Sequence, residues 1–345
     1  MQAAGPGGIR KTAPPAPAQG RERARGRAEV AAGSILVSDE VEERRSSALE
    51  AAWPGLSRCI LRPSGPSADP SLVEIAFFSG DLFPERTRDF VLTLAKSKRL
   101  RWLHTFSAGV DHPWFRSLRE RGVRITTSSG AAAVPIAQTV ALYLLALSRN
   151  LPAWLEAQRR RAWEPHEVQD LQGLVLGVLG LGPIGLEVAR LGAALRMRVI
   201  GLRRKARGDE PCETWPLSRL HELLPRADAV VLALPLTEGT RHILDASAIA
   251  VMKPGAVLVN VGRGELVDEP ALAAALEKGA LRGAGLDVFE KEPLPSESSL
   301  WSLPGVIVTP HASGRTAGNS ARAELIFLDN LGRFSRGEAL LNEAE

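Results

Sequence analysis

Only two cysteines, Cys59 and Cys212, occur in 345 residues. That excludes a disulfide-framed module and a cysteine-based zinc site, and a reducing, cytoplasmic setting is the expectation. No uninterrupted apolar run approaches the roughly 18 residues needed to cross a membrane; runs such as Val140–Leu147 are far shorter. The start of the chain lacks the apolar centre of a secretory signal. His104, His112, His166, His221 and His242 show no metal-ligand spacing, so no metal is expected. A basic excess is also missing where it would matter. Lys and Arg outnumber Asp and Glu by 43 to 39, and residues 1–33 alone hold six bases against two acids. The remainder is therefore electrically balanced, with no overall field to steer nucleic acid.

What is present describes a globular protein. A hydrophobic fraction of 45% with 24% charged residues is an ordinary folded composition, and the length suits two domains. Residues 1–33 are rich in Ala, Gly and Pro; with so little apolar surface to offset ordering entropy they read as a disordered tail. From Ser34 onward, strand-like runs at Ser34–Val37, Val73–Phe78, Trp102–Thr105 and Val123–Thr127 alternate with helical stretches, the pattern of an α/β unit. Ala133–Arg149 reads as a buried helix passing between domains, with Pro135 in its first turn, where a missing N–H costs little.

From Gly173 the alternation becomes regular. Strand candidates fall at Leu174–Leu179, Arg198–Leu202, Ala229–Leu234, Ala256–Val261, Gly283–Val288 and Val306–Thr309. Their near-continuous Val, Leu and Ile content suits parallel strands covered on both faces. The expected fold class is α/β, with two Rossmann-like doubly wound parallel sheets. A flavodoxin-like substrate domain would take residues 34–132 and 311–345, and a larger dinucleotide-binding domain residues 133–310.

Gly180-Leu181-Gly182-Pro183-Ile184-Gly185 fits GxGxxG and follows an apolar strand, with a helix-forming run behind it. In that context Gly180 permits the turn, Gly182 lets backbone approach a pyrophosphate, and Gly185 allows close helix–strand packing. The second strand runs into Arg203-Arg204-Lys205. No acid stands there to receive the ribose 2′-hydroxyl, whereas Arg203 and Arg204 suit a 2′-phosphate. NADP is favoured; NAD stays open.

Three more segments lie at the carboxyl edge of the same sheet, where open α/β sheets bind ligands. They are Asn260-Val261-Gly262-Arg263-Gly264, Gly285-Leu286-Asp287 running to Glu292-Pro293, and Thr309-Pro310-His311-Ala312-Ser313. An arginine between glycines just after a buried strand is placed to clamp a carboxylate. Singly, Asp287 reads equally well as a loop cap, Glu292 as a solvated charge and His311 as a satisfied histidine.

Together the segments resemble the D-isomer-specific 2-hydroxyacid dehydrogenase family, over nearly everything from Ser34 and most strongly over 177–316. The resemblance implies a catalytic Arg263, Glu292 and His311. It implies cofactor contacts at Gly180, Gly182, Pro183, Ile184, Gly185, Arg203, Arg204, Leu234, Pro235, Thr240, Val261, Gly262, Asp287 and Ser313, with Asp287 on the nicotinamide carboxamide side. Ser107-Ala108-Gly109-Val110-Asp111 resembles the family's substrate loop, so Ala108 and Gly109 join Arg263 and His311 as substrate contacts. Two departures stand out: Gln138 where the family commonly has Glu, and Arg203 where NAD-preferring members have Asp.

The implied chemistry is reduction of a small 2-oxo acid of the glyoxylate/hydroxypyruvate type by an NAD(P)-dependent oxidoreductase acting on the CH–OH group. Arg263 would bind the carboxylate and polarise the ketone. His311 would act as general acid, with Glu292 fixing its ring. Phosphoglycerate and D-lactate-type dehydrogenases are alternatives, the former disfavoured because no recognisable regulatory domain follows residue 320. A non-catalytic corepressor-like dinucleotide sensor is another; Glu292 argues against a formate dehydrogenase, whose family pairs its His with Gln. Trp114 and Phe115 could shape the substrate pocket or belong to the core. Leu151–Gln172, with Trp154, Trp163 and Arg159-Arg160-Arg161, matches the arm that joins subunits in this family and is interface-like in composition, so a homodimer is expected. Partners are thus a small 2-oxo or 2-hydroxy acid and a second copy, with no nucleic acid and no membrane.

Overall fold

The computed structural model describes residues 33–344; the expected tail lies, apart from Gly33, outside the described residues. The first sheet contains β1 (Ser34–Ser38), β2 (Ser57–Arg62), β3 (Gly65–Pro66), β4 (Val73–Phe78), β5 (Trp102–Thr105) and β6 (Arg124–Thr127). Its order is β3-β2-β1-β4-β5-β6, parallel except for the short β2–β3 hairpin. Without that hairpin the order is the flavodoxin-like one. The second sheet contains β7 (Val175–Leu179), β8 (Arg198–Arg203), β9 (Glu213–Pro216), β10 (Ala229–Leu232), β11 (Val257–Asn260), β12 (Gly283–Leu286) and β13 (Val306–Val308). All its pairs are parallel, in the order β13-β12-β11-β10-β7-β8-β9. The expected α/β class with two doubly wound parallel sheets is what forms.

Period-two alternation puts both faces of each strand into a core. In β10, Val230 and Leu232 join the cluster holding Leu244, Leu258 and Leu266, while Ala229 and Val231 join Tyr143, Leu176 and Val259 on the other face. In β1, Leu36 faces one cluster and Ile35 and Val37 the other. Each such fully buried aliphatic side chain contributes about 1.5–3 kcal/mol. The C-terminal helix Ala317–Ser335 returns to the first sheet, where Phe327 stacks on Phe77 and Trp102. Its buried Glu324 accepts hydrogen bonds from Arg44 and Arg45.

Three strands were not anticipated: β2, the two-residue β3 paired to it, and β9. β2 alternates buried Cys59 and Leu61 with more exposed neighbours, a short signal hidden among polar residues. β9 buries only Trp215, over which the Arg219 guanidinium sits at 3.7 Å; an edge strand needs little apolar sequence. The helix Ala133–Ser148, expected to be buried, is buried on one side only. Ala137, Val140, Tyr143, Leu144 and Leu147 face the second sheet, but Val134, Leu142 and Leu145 are exposed. The next helix, Leu151–Arg159, continues the exposed apolar surface through Leu151, Trp154 and Leu155.

Candidate active site at the carboxyl edge of the second sheet

The chain runs outward from β7 in one direction through β8 and β9, and in the other from β10 to β13. That reversal creates a crevice beyond the strand ends, and the expected site segments issue from those ends. The glycine turn follows β7. Gly180 adopts φ +99°, and a Cβ on Gly185 would lie 1.8 Å from the Gly180 carbonyl oxygen, so no larger residue fits. A Cβ on Gly182, by contrast, would meet nothing within 4 Å, leaving room for a ligand against the backbone. The helix Pro183–Ala194 starts here with Gly182 as its N-cap. Its first turn offers N–H groups and the positive end of its dipole to an anion. Pro183 is exposed and Ile184 half-buried. These features fit a dinucleotide pyrophosphate.

At the end of β8 the outcome differs from the sequence reading. An acid is present after all, seven residues on: Glu210 Oε1 accepts from Arg203 Nη1 at 2.8 Å and from Arg207 N at 2.7 Å, and Oε2 accepts from Gly208 N at 2.8 Å. The two backbone N–H groups, with Arg203, pull the Glu210 carboxyl down to about 2. Because the folded value lies below the ordinary 4.5, this pairing contributes stability above about pH 4.5 and loses it as pH falls toward 2. Arg203 is therefore committed to the loop, while Arg204, Lys205 and Arg207 are exposed cations whose side chains make no ion pair among the described residues.

Beyond β10, Leu234 is half-buried and Pro235 exposed. Thr240 is occupied within its own loop: its Oγ1 donates to the Pro235 carbonyl at 2.8 Å and accepts from Thr237 N at 2.8 Å. After β11, buried Asn260 clasps the following turn, its side chain donating to Arg263 O at 2.9 Å and accepting from Gly262 N at 3.1 Å. Val261 and Gly262 are buried, and Arg263 emerges half-buried. Its Nε and Nη2 each lie 3.1 Å from Asp111 Oδ2. Its guanidinium rests so closely on Gly109 that a Cβ there would sit 1.8 Å from Nη2. The substrate-like loop from the first sheet and the arginine from the second are thus in contact, with Ala108 exposed beside them.

Asp287 follows β12 and is 1% exposed. Its carboxylate accepts from Thr309 Oγ1, Ala312 N, Ser313 N and Ser313 Oγ, at 2.5–3.1 Å. These donors fill the acceptor sites of a carboxylate, so Asp287 and Ser313 anchor the loop that carries His311. His311 Nδ1 lies 2.8 Å from Glu292 Oε2. Since an ionised carboxylate only accepts, Nδ1 carries the proton and Nε2 is the free ring nitrogen. Glu292 is itself fixed by the Phe289 N–H at 3.1 Å. The loops of Arg263 and Glu292 adjoin, because a Cβ on Gly264 would meet the Phe289 carbonyl carbon at 1.8 Å.

Other candidates resolve into the core. Phe115 is 7% exposed and Trp114 packs edge-on against Phe78 and Phe90. His104 is fully buried between Thr126 and Ser128, and burial pushes its imidazole down to about 3. Sequence reasoning gave Asn260 and Thr309 no role within their site segments and passed over Glu210 and Tyr143. For Asn260 and Thr309 the available signal was a polar residue closing an apolar strand; Glu210, in the loop after β8, and Tyr143, in mid-helix, carried none.

A glycine turn at a helix start, beside an arginine and a carboxylate–histidine pair on neighbouring strand ends, defines a dinucleotide-dependent oxidoreductase. The D-isomer specific 2-hydroxyacid dehydrogenase, NAD binding domain, matches residues 141–313, and the chain belongs to the D-isomer-specific 2-hydroxyacid dehydrogenase family. It is an NAD(P)-dependent oxidoreductase acting on 2-hydroxy acids. It is 38% identical over 256 residues to the (S)-sulfolactate dehydrogenase of Chromohalobacter salexigens, spanning 72% of this chain and 82% of that protein. It is 35% identical over 255 residues to the glyoxylate reductase of Aeropyrum pernix, spanning 71% and 76%. Among solved structures, the D-isomer specific 2-hydroxyacid dehydrogenase from Xanthobacter autotrophicus Py2 in complex with NADPH and MES superposes with a TM-score of 0.75 at 31% identity, covering 91% of this chain and 98% of that one. The NADPH-dependent glyoxylate/hydroxypyruvate reductase from Sinorhizobium meliloti in complex with NADP and sulfate gives 0.73 at 28% identity, with the same coverage. No helix among the described residues is long and apolar enough to cross a membrane.

Proposed function

We propose that this chain is a cytoplasmic reductase of small 2-oxo acids of the glyoxylate/hydroxypyruvate type, using NADPH in preference to NADH, with His311 as general acid. The observation that carries it is the 2.8 Å contact between His311 Nδ1 and Glu292, which leaves Nε2 to take up a second proton and, as the imidazolium, to give it to the ketone oxygen. The bound reduced nicotinamide supplies the hydride. Arg263 holds the substrate carboxylate and polarises the ketone; its fork already engages a carboxylate, that of Asp111, so it suits such a group. Gly109 and Ala108 bring backbone N–H groups to the same carboxylate. In the oxidative direction His311 takes the proton back. In this reading residues 34–132 and 311–345 form the substrate domain and 133–310 the dinucleotide domain.

Arg204 and Lys205 support the NADPH preference, as unpaired cations after β8 (Arg203 supports it only indirectly, being tied to Glu210). Initial rates with glyoxylate, hydroxypyruvate, a 3-sulfo-2-oxo acid and a 3-phospho-2-oxo acid, each with NADPH and NADH, test the proposal. The expected order is hydroxypyruvate or glyoxylate first, with kcat/KM at least tenfold higher for NADPH. A clear NADH preference would end the cofactor assignment, faster turnover of the sulfo or phospho acid the substrate assignment, and no turnover at all the enzyme reading.

Glu292→Gln keeps a hydrogen-bond acceptor for Nδ1 but removes its charge. A charge-assisted hydrogen bond contributes about 1.5–3 kcal/mol, so kcat is expected to fall about ten- to hundredfold while KM for NADPH stays put. Unaltered kcat would detach Glu292 from the reaction.

The exposed apolar side chains of Val134, Leu142, Leu145, Leu151, Trp154 and Leu155 form a surface a monomer would leave in water, and they support a homodimer. Light scattering is expected to return about twice the 37.0 kDa chain mass; a monomer at micromolar concentration refutes it.

A further inference from the structure

We infer that Tyr143 is a positioning residue for His311, holding the catalytic loop through Thr309 and Asp287. Tyr143 is the sole tyrosine of the sequence. It lies fully buried in the helix Ala133–Ser148, and its ring lies flat enough on β12 that a Cβ at Gly285 would come within 2.5 Å of it. The register thus depends on Gly285, two residues before Asp287. The Tyr143 hydroxyl is 2.5 Å from Thr309 Oγ1, which is in turn 2.5 Å from Asp287 Oδ1.

The direction of the protons follows from the end of the chain. A carboxylate only accepts, so Thr309 must donate its single proton to Asp287. Thr309 can then only accept from Tyr143, and the phenol is the donor that orients it. Burial pushes the Tyr143 phenol up to about 12, so it keeps that proton across any working pH. Asp287 forms no ion pair among the described residues. A buried carboxylate without a cation depends wholly on its hydrogen-bond donors.

Those donors otherwise come from Thr309, Ala312 and Ser313, the loop itself. Tyr143 is the member of the chain that stands outside the loop and ties it to a helix. His311 needs the tie. Its backbone adopts φ +50°, a conformation that costs a non-glycine residue of order 1–3 kcal/mol and persists only where the surroundings enforce it. One enforcing contact is the His311 N–H to the Asp287 carbonyl at 2.8 Å. Releasing Thr309 loosens the Asp287 end of that arrangement and lets the imidazole leave its line to the substrate, with no change at the glycine turn.

This inference rests on His311 being the acid of the proposed reduction, and the test separates the two. In the full chain, Tyr143→Phe keeps the ring on Gly285 and removes only the hydroxyl. It is expected to lower kcat for the oxo acid about three- to tenfold, the worth of one hydrogen bond, with KM for NADPH within twofold of the parent. Thr309→Val should give a loss at least as large, Thr309→Ser should restore near-parental kcat, and Tyr143→Phe added to Thr309→Val should cost nothing further, because the two lie in series. Parental kcat in Tyr143→Phe overturns the inference. So does a parallel rise in KM for NADPH, which marks general loosening of the domain, or strict additivity in the double variant. Should Tyr143→Phe not fold, the Thr309→Ser and Thr309→Val pair reads the same chain. If His311→Asn retains turnover, it is the parent reading that falls; if His311→Asn is inactive while Tyr143→Phe is normal, only this inference falls.

Discussion

Replacing His311 with Asn is expected to lower kcat about a hundred- to ten-thousand-fold, the usual contribution of a positioned general acid, and to leave KM for NADPH unchanged. Asn is the informative substitute because it tolerates the left-handed backbone that His311 adopts at φ +50°. The loop should therefore survive, and any loss belongs to the imidazole. The carboxamide can still meet Glu292 but cannot deliver a proton from the position of Nε2. Residual turnover would come from Arg263 and from the bound geometry alone, as in other sites stripped of their acid–base group. Stopped-flow reduction under saturating NADPH checks it. Near-parental kcat would remove His311 from the chemistry and, with it, the reason for the Glu292 contact.

The second large effect is expected at Arg263. Its guanidinium contacts Asp111 through two nitrogens and leans on Gly109, so truncation removes a bidentate partner. Two charge-assisted hydrogen bonds at about 1.5–3 kcal/mol each predict a fall in kcat/KM for the oxo acid of about a hundredfold or more in Arg263→Ala. KM should carry most of it and kcat part, since the same group polarises the ketone. Arg263→Lys keeps the charge and loses the planar fork, so it should recover only a fraction. Steady-state kinetics with the oxo acid varied at saturating NADPH measure both. A loss confined to kcat, with KM unmoved, would mean that Arg263 does not hold the carboxylate.

Gly109 makes an independent check of the same contact. A side chain there would push the Arg263 guanidinium off its present seat against this loop. Space and not conformational freedom is at stake, because Gly109 is not among the glycines with positive φ.

Much of this architecture was legible because parallel strands buried on both faces must be apolar along their length. Six of the seven strands of the second sheet were visible in that way; β9, with Trp215 alone buried, was not. The site segments were legible for a related reason. Polar residues such as Arg263, Asp287 and His311 stand directly after apolar strands, at the ends where a parallel sheet gathers its loops. The apolar helix Ala133–Ser148, read as buried, is buried on one side only, because composition says that a face is apolar and not whether anything covers it.

Local order along the chain thus determined the strand pattern, the glycine turn and the identity of the reacting side chains, since each depends on neighbours within a few residues. Only the folded molecule decided which distant groups meet. It set Asp111 on Arg263 across 152 positions and Glu292 on His311 across 19. It brought Glu210 back onto Arg203, altering the reading of the cofactor loop, and Tyr143 under Thr309 across 166 positions. Hydrogen bonds and ion pairs act over a few ångströms, and sequence separation carries no record of which side chains a closed sheet will bring within that range.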